Sequence, residues 1–399
     1  MPRLFPVRSY ENDLSIIFGA NKIVKPLLIV FNMREFFSFS GGKAMDKINL
    51  ATLLLGSLLV FSSIHKPQLY QVMSSHPHDV KEFSPFIKTI KQDGRLWLVN
   101  LKKNTPSHVM KNFRLTTGRD VKSYIPIVLK SSVVSPIIKD FTSRIDVAAI
   151  KNDVEMLSNY KTRLVGSSDN QKAIAQVKQI LTSLGYSIYQ YCYRPDACSI
   201  VADKVGDGSS ADDVIMLMGH VDSVGKNFAG ADDNASGVAV LLEVARVSKD
   251  FNNKRTLRFF ITNGEESGLF GAEHYADLLT KNGEIKKIVL AINMDMVGYN
   301  SNGMVELETD SQYEGLANWF AGLATTYTKL RSKITIGAWG SDHVPFIQAG
   351  VPTLLTIEDW STKTPCYHQE CDKPSTVNYE YAGEIAKLNL AAIMTKDAD

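Results

Sequence analysis

The chain predicts an α/β fold, a mainly parallel mixed sheet covered by helices on both faces, preceded by an N-terminal segment outside that fold. Three observations predict it. From about residue 146, apolar runs of strand length alternate with amphipathic stretches of helical period. The apolar runs are near-continuous, as in strands buried on both faces. Acids and histidines gather just past the ends of those runs, where open α/β sheets bind their ligands.

The elements follow in order. Helical spacing runs through 147–159 and 170–184, the second stopping at Gly185. Strands are expected at Val214–Met218, Leu257–Thr262, Ile288–Asn293, Val305–Leu307, Ile334–Ile336 and Thr353–Ile357. Between and after them come helices at Ser236–Lys249, Gly271–Thr280, Tyr313–Thr328, Val344–Ala349 and Tyr379–Met394. Residues 64–145 are basic and irregular, with six prolines between positions 67 and 136, and carry no catalytic constellation. Short runs such as Leu96-Trp97-Leu98-Val99 read as a few strands, and the region as a propeptide or a small accessory domain. The catalytic domain is expected to span 146–399.

Composition bounds the function. The 399 residues are 44% hydrophobic and 22% charged, an ordinary globular profile, with a net charge of +2 and scattered basic residues. Nucleic acid or an anionic membrane surface would call for a concentrated positive field, so neither is an expected partner, and a monomer is expected. Met45-Asp46-Lys47 leads into the 14 uncharged residues Ile48–Phe61, followed by Ser62 and Ser63. That pattern fits a secretory signal at 45–63. As a helix it rises about 21 Å, short of the roughly 30 Å core of a bilayer, so no stable anchor is expected. Its distance from residue 1 implies translation starting at Met45, with 1–44 an artefact of the assigned start. Four cysteines allow three pairings; the short loops favour Cys192–Cys198 and Cys366–Cys371. Disulfides need an oxidising compartment, in keeping with export.

The chemistry lies in five segments. Gly219-His220-Val221-Asp222 ends the first strand; a metal-bound histidine gives its other ring proton to an acceptor, for which Asp222 is placed. Gly230-Ala231-Asp232-Asp233-Asn234-Ala235-Ser236-Gly237 enters a helix, and its small residues admit close approach of backbone and carboxylate; the bland reading is an N-cap. Glu265 and Glu266 are adjacent carboxylates at an apolar strand end, repulsive without a cation. Asp295 sits inside an apolar run, where an unpartnered carboxylate is costly. His368 lies between Cys366 and Cys371, beside Tyr367. Gly340-Ser341-Asp342-His343 lies near these or merely starts a helix. Two histidines, several carboxylates and no thiolate ligand suit zinc, and a two-metal site if one Asp bridges.

In order and spacing these segments closely resemble the secreted zinc aminopeptidases of the bacterial leucyl aminopeptidase type, relatives of glutamate carboxypeptidase and glutaminyl cyclase, over residues 147–395. The resemblance implies two zinc ions, His220 and Asp295 binding one, Glu266 and His368 the other, and Asp233 bridging. The choice of Asp233 over Asp232 rests on matching Asp233-Asn234-Ala235-Ser236-Gly237 to the family's segment. It also implies Glu265 as general base, Asp222 orienting His220, Tyr367 helping to polarise the scissile carbonyl, and peptides with a free N-terminus as substrates. A glutaminyl cyclase would use a single zinc and differs after the bridging Asp; a carboxypeptidase would need gathered basic residues; an inactive binding relative would have lost a ligand or the base. Neither Gly-x-Ser-x-Gly nor His-Glu-x-x-His occurs, which argues against a serine hydrolase or a protease of the His-Glu-x-x-His kind.

Overall fold

A computed structural model describes residues 69–73, 87–93, 96–102, 114–115, 122–126, 134–337 and 340–399. The signal-like run 48–61, Met45 and the residues before it lie outside that set, as does much of 64–145. What is described of that region includes a four-stranded antiparallel sheet in the order β2-β3-β1-β4. Its strands are β1 (Leu69–Met73), β2 (Ile87–Asp93), β3 (Leu96–Leu101) and β4 (Arg114–Leu115). The run at Leu96 is thus a strand, as its alternation predicts.

The main sheet has nine strands: β5 (Lys122–Tyr124), β6 (Ser187–Arg194), β7 (Ala197–Lys204), β8 (Val214–His220), β9 (Thr256–Thr262), β10 (Ile288–Met294), β11 (Met304–Thr309), β12 (Arg331–Ile336) and β13 (Thr353–Glu358). Their order is β5-β12-β11-β13-β10-β8-β9-β7-β6. The centre, β9-β8-β10-β13, is parallel, and β11 runs parallel to β12. Antiparallel pairs join β13 to β11 and add β5, β7 and β6 towards the edges. The parallel centre is built from the apolar runs, every residue of Val214–His220 and Thr353–Glu358 being buried.

Eight helices of the described residues flank the sheet: α1 (Pro136–Ser143), α2 (Val147–Ser158), α3 (Ser168–Ser183), α4 (Gly237–Ser248), α5 (Phe270–Lys281), α6 (Glu314–Tyr327), α7 (His343–Gln348) and α8 (Tyr379–Ala398). Side chains alternate across each strand and so divide the core into two layers. Ile215, Leu217, Phe259 and Ile261 pack with Val154 of α2, Val177 of α3, Leu241 of α4, Phe320 of α6 and Ile385 of α8. Met216, Met218 and Phe260 point the other way, onto Tyr275 of α5 and Phe346 of α7. Helix starts are capped as their sequences require: Asp146, Ser167 and Asn378 accept from Ala148, Asn170 and Tyr381 backbone N–H groups.

Two elements escape the sequence patterns. Helix α1 lies in the proline-rich stretch; Pro136 occupies its first turn, where a missing N–H costs nothing, and Ser135 caps it. The hairpin β6–β7 carries Cys192 directly opposite Cys198, and the two are bonded. Its outer strand leaves few residues covered, so the period-2 signal is diluted by polar residues on both faces. Cys366 and Cys371 form the second disulfide, and both pairings agree with the loop lengths.

Phe259 is fully buried and packs edge-to-face on Tyr186 with ring centroids 5.1 Å apart. Phe259→Ala should cost about 3–5 kcal/mol of unfolding free energy, measured by urea denaturation of the purified protein.

Candidate metal centre

The carboxyl ends of β8, β9 and β10 deliver most of the site. β8 ends on His220; the chain leaving β9 carries Glu265 and Glu266; the chain leaving β10 carries Asp295. Asp233 arrives from the irregular turn Ala231–Ser236 before α4, and His368 from the segment between Cys366 and Cys371. Adjacent parallel strands end side by side, so His220 and Asp295, 75 positions apart in sequence, converge.

Asp233 lies at the middle. One of its oxygens is 3.3 Å from His220 Nε2, and the other is 2.9 Å from His368 Nε2. His220 Nε2 is also 3.3 Å from Asp295 Oδ1, and His368 Nε2 is 3.5 Å from Glu266 Oε2. Two donor groups share Asp233, His220–Asp233–Asp295 and Asp233–Glu266–His368, and a third, His220–Glu265–Glu266, overlaps them, the donor atoms of each lying within 4.8 Å of one another. Glu265 is fully buried beside them, its Oε2 3.9 Å from His220 Nε2. All five residues named as metal ligands from the sequence therefore meet in one place.

Several side chains fix this arrangement. The Asp295 carboxylate accepts from Ser341 Oγ at 2.6 Å, and Ser341 in turn accepts from Asn293 at 2.8 Å. Asn234, next to Asp233 across a cis peptide, donates to the Met294 carbonyl and accepts from the Gly237 and Met296 amides. A Cβ on Gly237 would stand 2.4 Å from the Met294 carbonyl oxygen, so this close approach requires glycine. Gly264, at φ 92°, takes a left-handed conformation at the bend before Glu265.

One detail departs from the sequence reading, and the surroundings of Tyr367 and His343 add to it. His220 Nδ1 is held by the backbone carbonyl of Asp222 at 3.0 Å, while the Asp222 carboxylate stands 3.7 Å away. That carboxylate instead accepts the amides of Gly264, Glu265 and Glu266 at 2.8, 3.2 and 3.1 Å. Asp222 thus orients His220 by its main chain and the two glutamates by its side chain. Tyr367 is outside both donor groups; its ring stacks on His368 at 3.8 Å and meets Trp360 edge-on. His343 is a structural residue: fully buried at the start of α7, with Nε2 3.1 Å from Glu308.

The structure also separates the two adjacent aspartates. Asp232 turns away, accepting from the Gly298 amide at 2.8 Å, and burial together with Asp372 pushes its carboxyl up to about 8. Burial opposes ionisation of Asp233 too, yet the two histidines hold its carboxyl well below the usual range. His220 is likewise disfavoured as a cation by burial but raised well above its ordinary value by Asp295 and Glu265. The field at this point stabilises positive charge.

The donor set fits metal cations. Asp222, Asp233, Glu265, Glu266 and Asp295 are all buried here, and the buried Lys or Arg among the described residues is Arg163 alone. Arg163 gives its guanidinium to the backbone carbonyls of Leu157, Val221, Ala229 and Gly230. Imidazole nitrogens and carboxylate oxygens around one shared carboxylate are a zinc-type ligand set. Neither Arg163 nor Ser341 was marked by a motif; Ser341 lay within a segment singled out, whereas Arg163 gave no signal beyond being an arginine.

An α/β sheet with a paired acid–imidazole cluster at its carboxyl edge defines the class as a parallel-centred α/β fold with a candidate metal centre. Residues 199–393 match the model of Peptidase family M28. It is 32% identical to aminopeptidase YwaD of Bacillus subtilis over 188 residues, 45% of this chain and 40% of that protein. It is 29% identical to leupeptin-inactivating enzyme 1 of Streptomyces exfoliatus over 262 residues, 59% of this chain and 58% of that one. The chain thus spans about half the length of these relatives. In fold it is similar to LapB from Legionella pneumophila, with a TM-score of 0.64 at 20% identity, covering 83% of this chain and all of that one.

Arg163→Leu would take a donor from four carbonyls beneath the site, of which Leu157 and Gly230 keep backbone N–H partners. It should lower unfolding stability by about 3–5 kcal/mol, read by chemical denaturation with far-UV circular dichroism.

Proposed function

We propose that the protein is a zinc aminopeptidase that holds two zinc ions and hydrolyses the first peptide bond of peptides with a free N-terminus. The observation that carries this reading is Asp233 reaching one histidine with each oxygen, so that two ligand groups share one carboxylate. His220 and Asp295 would complete one metal site, Glu266 and His368 the other. When bound, zinc ions would supply Lewis acidity and lower the pKa of bound water to about 7.

The protein's own residues carry the rest. Glu265, buried beside both groups, takes the proton of the attacking water and later delivers it to the departing amine. Tyr367, stacked on His368, would donate a hydrogen bond to the oxygen that gains charge as the carbonyl is attacked. Asp222 sets the direction of both glutamates through their amides and so fixes where the proton is held.

We infer that the chain is exported. Two disulfides suit an oxidising compartment, the run at 48–61 reads as a signal, and no described helix is long and apolar enough to cross a membrane. Residues 64–145 are proposed as a propeptide or accessory region before the catalytic domain 146–399. The pairing of Lys122–Tyr124 with β12 bears on where that boundary falls.

A panel of amino-acid p-nitroanilides, assayed with and without a chelator, tests the activity. Cleavage should vanish on chelation and return with zinc, and metal analysis should give two equivalents per chain; one equivalent would favour a cyclase. Glu265→Ala should retain its zinc while kcat falls about a hundred- to ten-thousandfold. Near-normal turnover in that variant would remove Glu265 from the role of base.

A further inference from the structure

We propose that Asp372 is a positioning residue for the metal centre, joining the disulfide-bounded segment that carries His368 to the turn that carries Asp233; this rests on the zinc reading above. Its carboxylate is buried and accepts two consecutive amides, Asp232 N–H on Oδ1 at 2.8 Å and Asp233 N–H on Oδ2 at 3.1 Å. Asp372 directly follows Cys371, and its own amide donates to the Gln369 carbonyl at 3.0 Å, within the loop closed by Cys366–Cys371.

The disulfide alone does not supply this link. It restrains residues 366–371 against one another and leaves open where the segment sits relative to Asp233. His368 nevertheless has to meet a carboxylate 135 positions earlier in the chain at 2.9 Å. Its backbone sits at φ 55°, a conformation a non-glycine residue keeps only when its surroundings impose it. Asp372 provides the anchor. Arg163 also donates to the carbonyls of Ala229 and Gly230, just before the same turn. The turn is gripped by a cation on the carbonyls before it and an anion on its amides, and only the anion belongs to the His368 segment.

Metal ligands tolerate little positional error, and groups that orient them typically change metal affinity about ten- to a hundredfold when removed. The Asp233–Glu266–His368 site should therefore depend on Asp372 more than the His220–Asp233–Asp295 site does. In Asp372→Asn one carboxylate oxygen becomes an amino group facing a backbone N–H, so one of the two anchoring bonds is replaced by a repulsion. Asp372→Ala removes both.

The test is competition titration of zinc against a chromophoric chelator in wild type, Asp372→Asn and Asp372→Ala, beside the rise in Tm on adding zinc. The expected result is two bound zincs in wild type and about ten- to a hundredfold weaker binding of one of them in Asp372→Asn, with kcat falling more than KM rises. A merely structural role would lower the Tm of metal-free and zinc-loaded protein equally, leaving the zinc-induced rise unchanged, and would overturn the proposal. Equal zinc affinities in wild type and Asp372→Asn would also overturn it while leaving the aminopeptidase reading intact. Wild type that takes up no zinc would overturn the zinc reading and the positioning role together. Should Asp372→Ala fail to fold, Asp372→Asn, which keeps the side-chain volume, decides.

Discussion

Buried negative charge at the carboxyl ends of β8, β9 and β10 is the constraint on which the rest of the molecule turns. Two carboxylates about 4 Å apart repel by about 4 kcal/mol at an effective dielectric of 20, and here five crowd together out of water. Such a cluster survives in a folded protein only if positive charge is shared among its members. His220 is drawn towards its cationic form by Asp295 and Glu265, and Asp233 is held ionised between two imidazoles. The same field would hold divalent cations more firmly than protons.

Around that charge the fold is arranged to hold each acid still. Asp222 accepts three successive amides at the bend carrying Glu265 and Glu266, Ser341 fixes Asp295, and Asn234 laces the Asp233 turn to the end of β10. These contacts join loops from different strands, so the rigidity of the centre is a property of the sheet's parallel middle rather than of any one loop. Neighbouring parallel strands present their ends at one edge, where bond-forming groups can share a small volume. Antiparallel pairings join β13 to β11 and add strands at the two edges, outside the parallel centre β9-β8-β10-β13, and the hairpin β6–β7 is stapled by its own disulfide.

Much of this was legible in the chain. The buried strands read clearly because both faces are covered, leaving runs such as Val214–Met218 without polar interruption. His220, Glu266 and Asp295 were legible because acids and imidazoles past apolar strands have few structural uses, whereas the roles of Asp233 and His368 came from the resemblance of their segments to the family's. Strands β6 and β7 were not legible, since an edge hairpin with one covered side carries polar residues that blur its period. Helix α1 was hidden by prolines whose meaning depends on position: Pro136 in a first turn starts a helix that the same residue further in would break.

The sequence by itself determined the strand–helix alternation, the kinds of ligand atom and the short cysteine loops, because all of these follow from local pattern and residue chemistry. Segment matching had named Asp233 of the pair 232–233, and the tertiary structure gave the physical reason: adjacent residues point to different sides once the turn is formed, Asp233 to the histidines and Asp232 to the Gly298 amide. It decided that Asp222 grips the glutamate amides with its carboxylate and His220 with its carbonyl. It also brought out Arg163 and Asp372, whose partners are backbone groups dozens to more than a hundred residues away. A backbone amide or carbonyl has no side chain to mark it, so contacts of that kind leave no trace in the order of the residues.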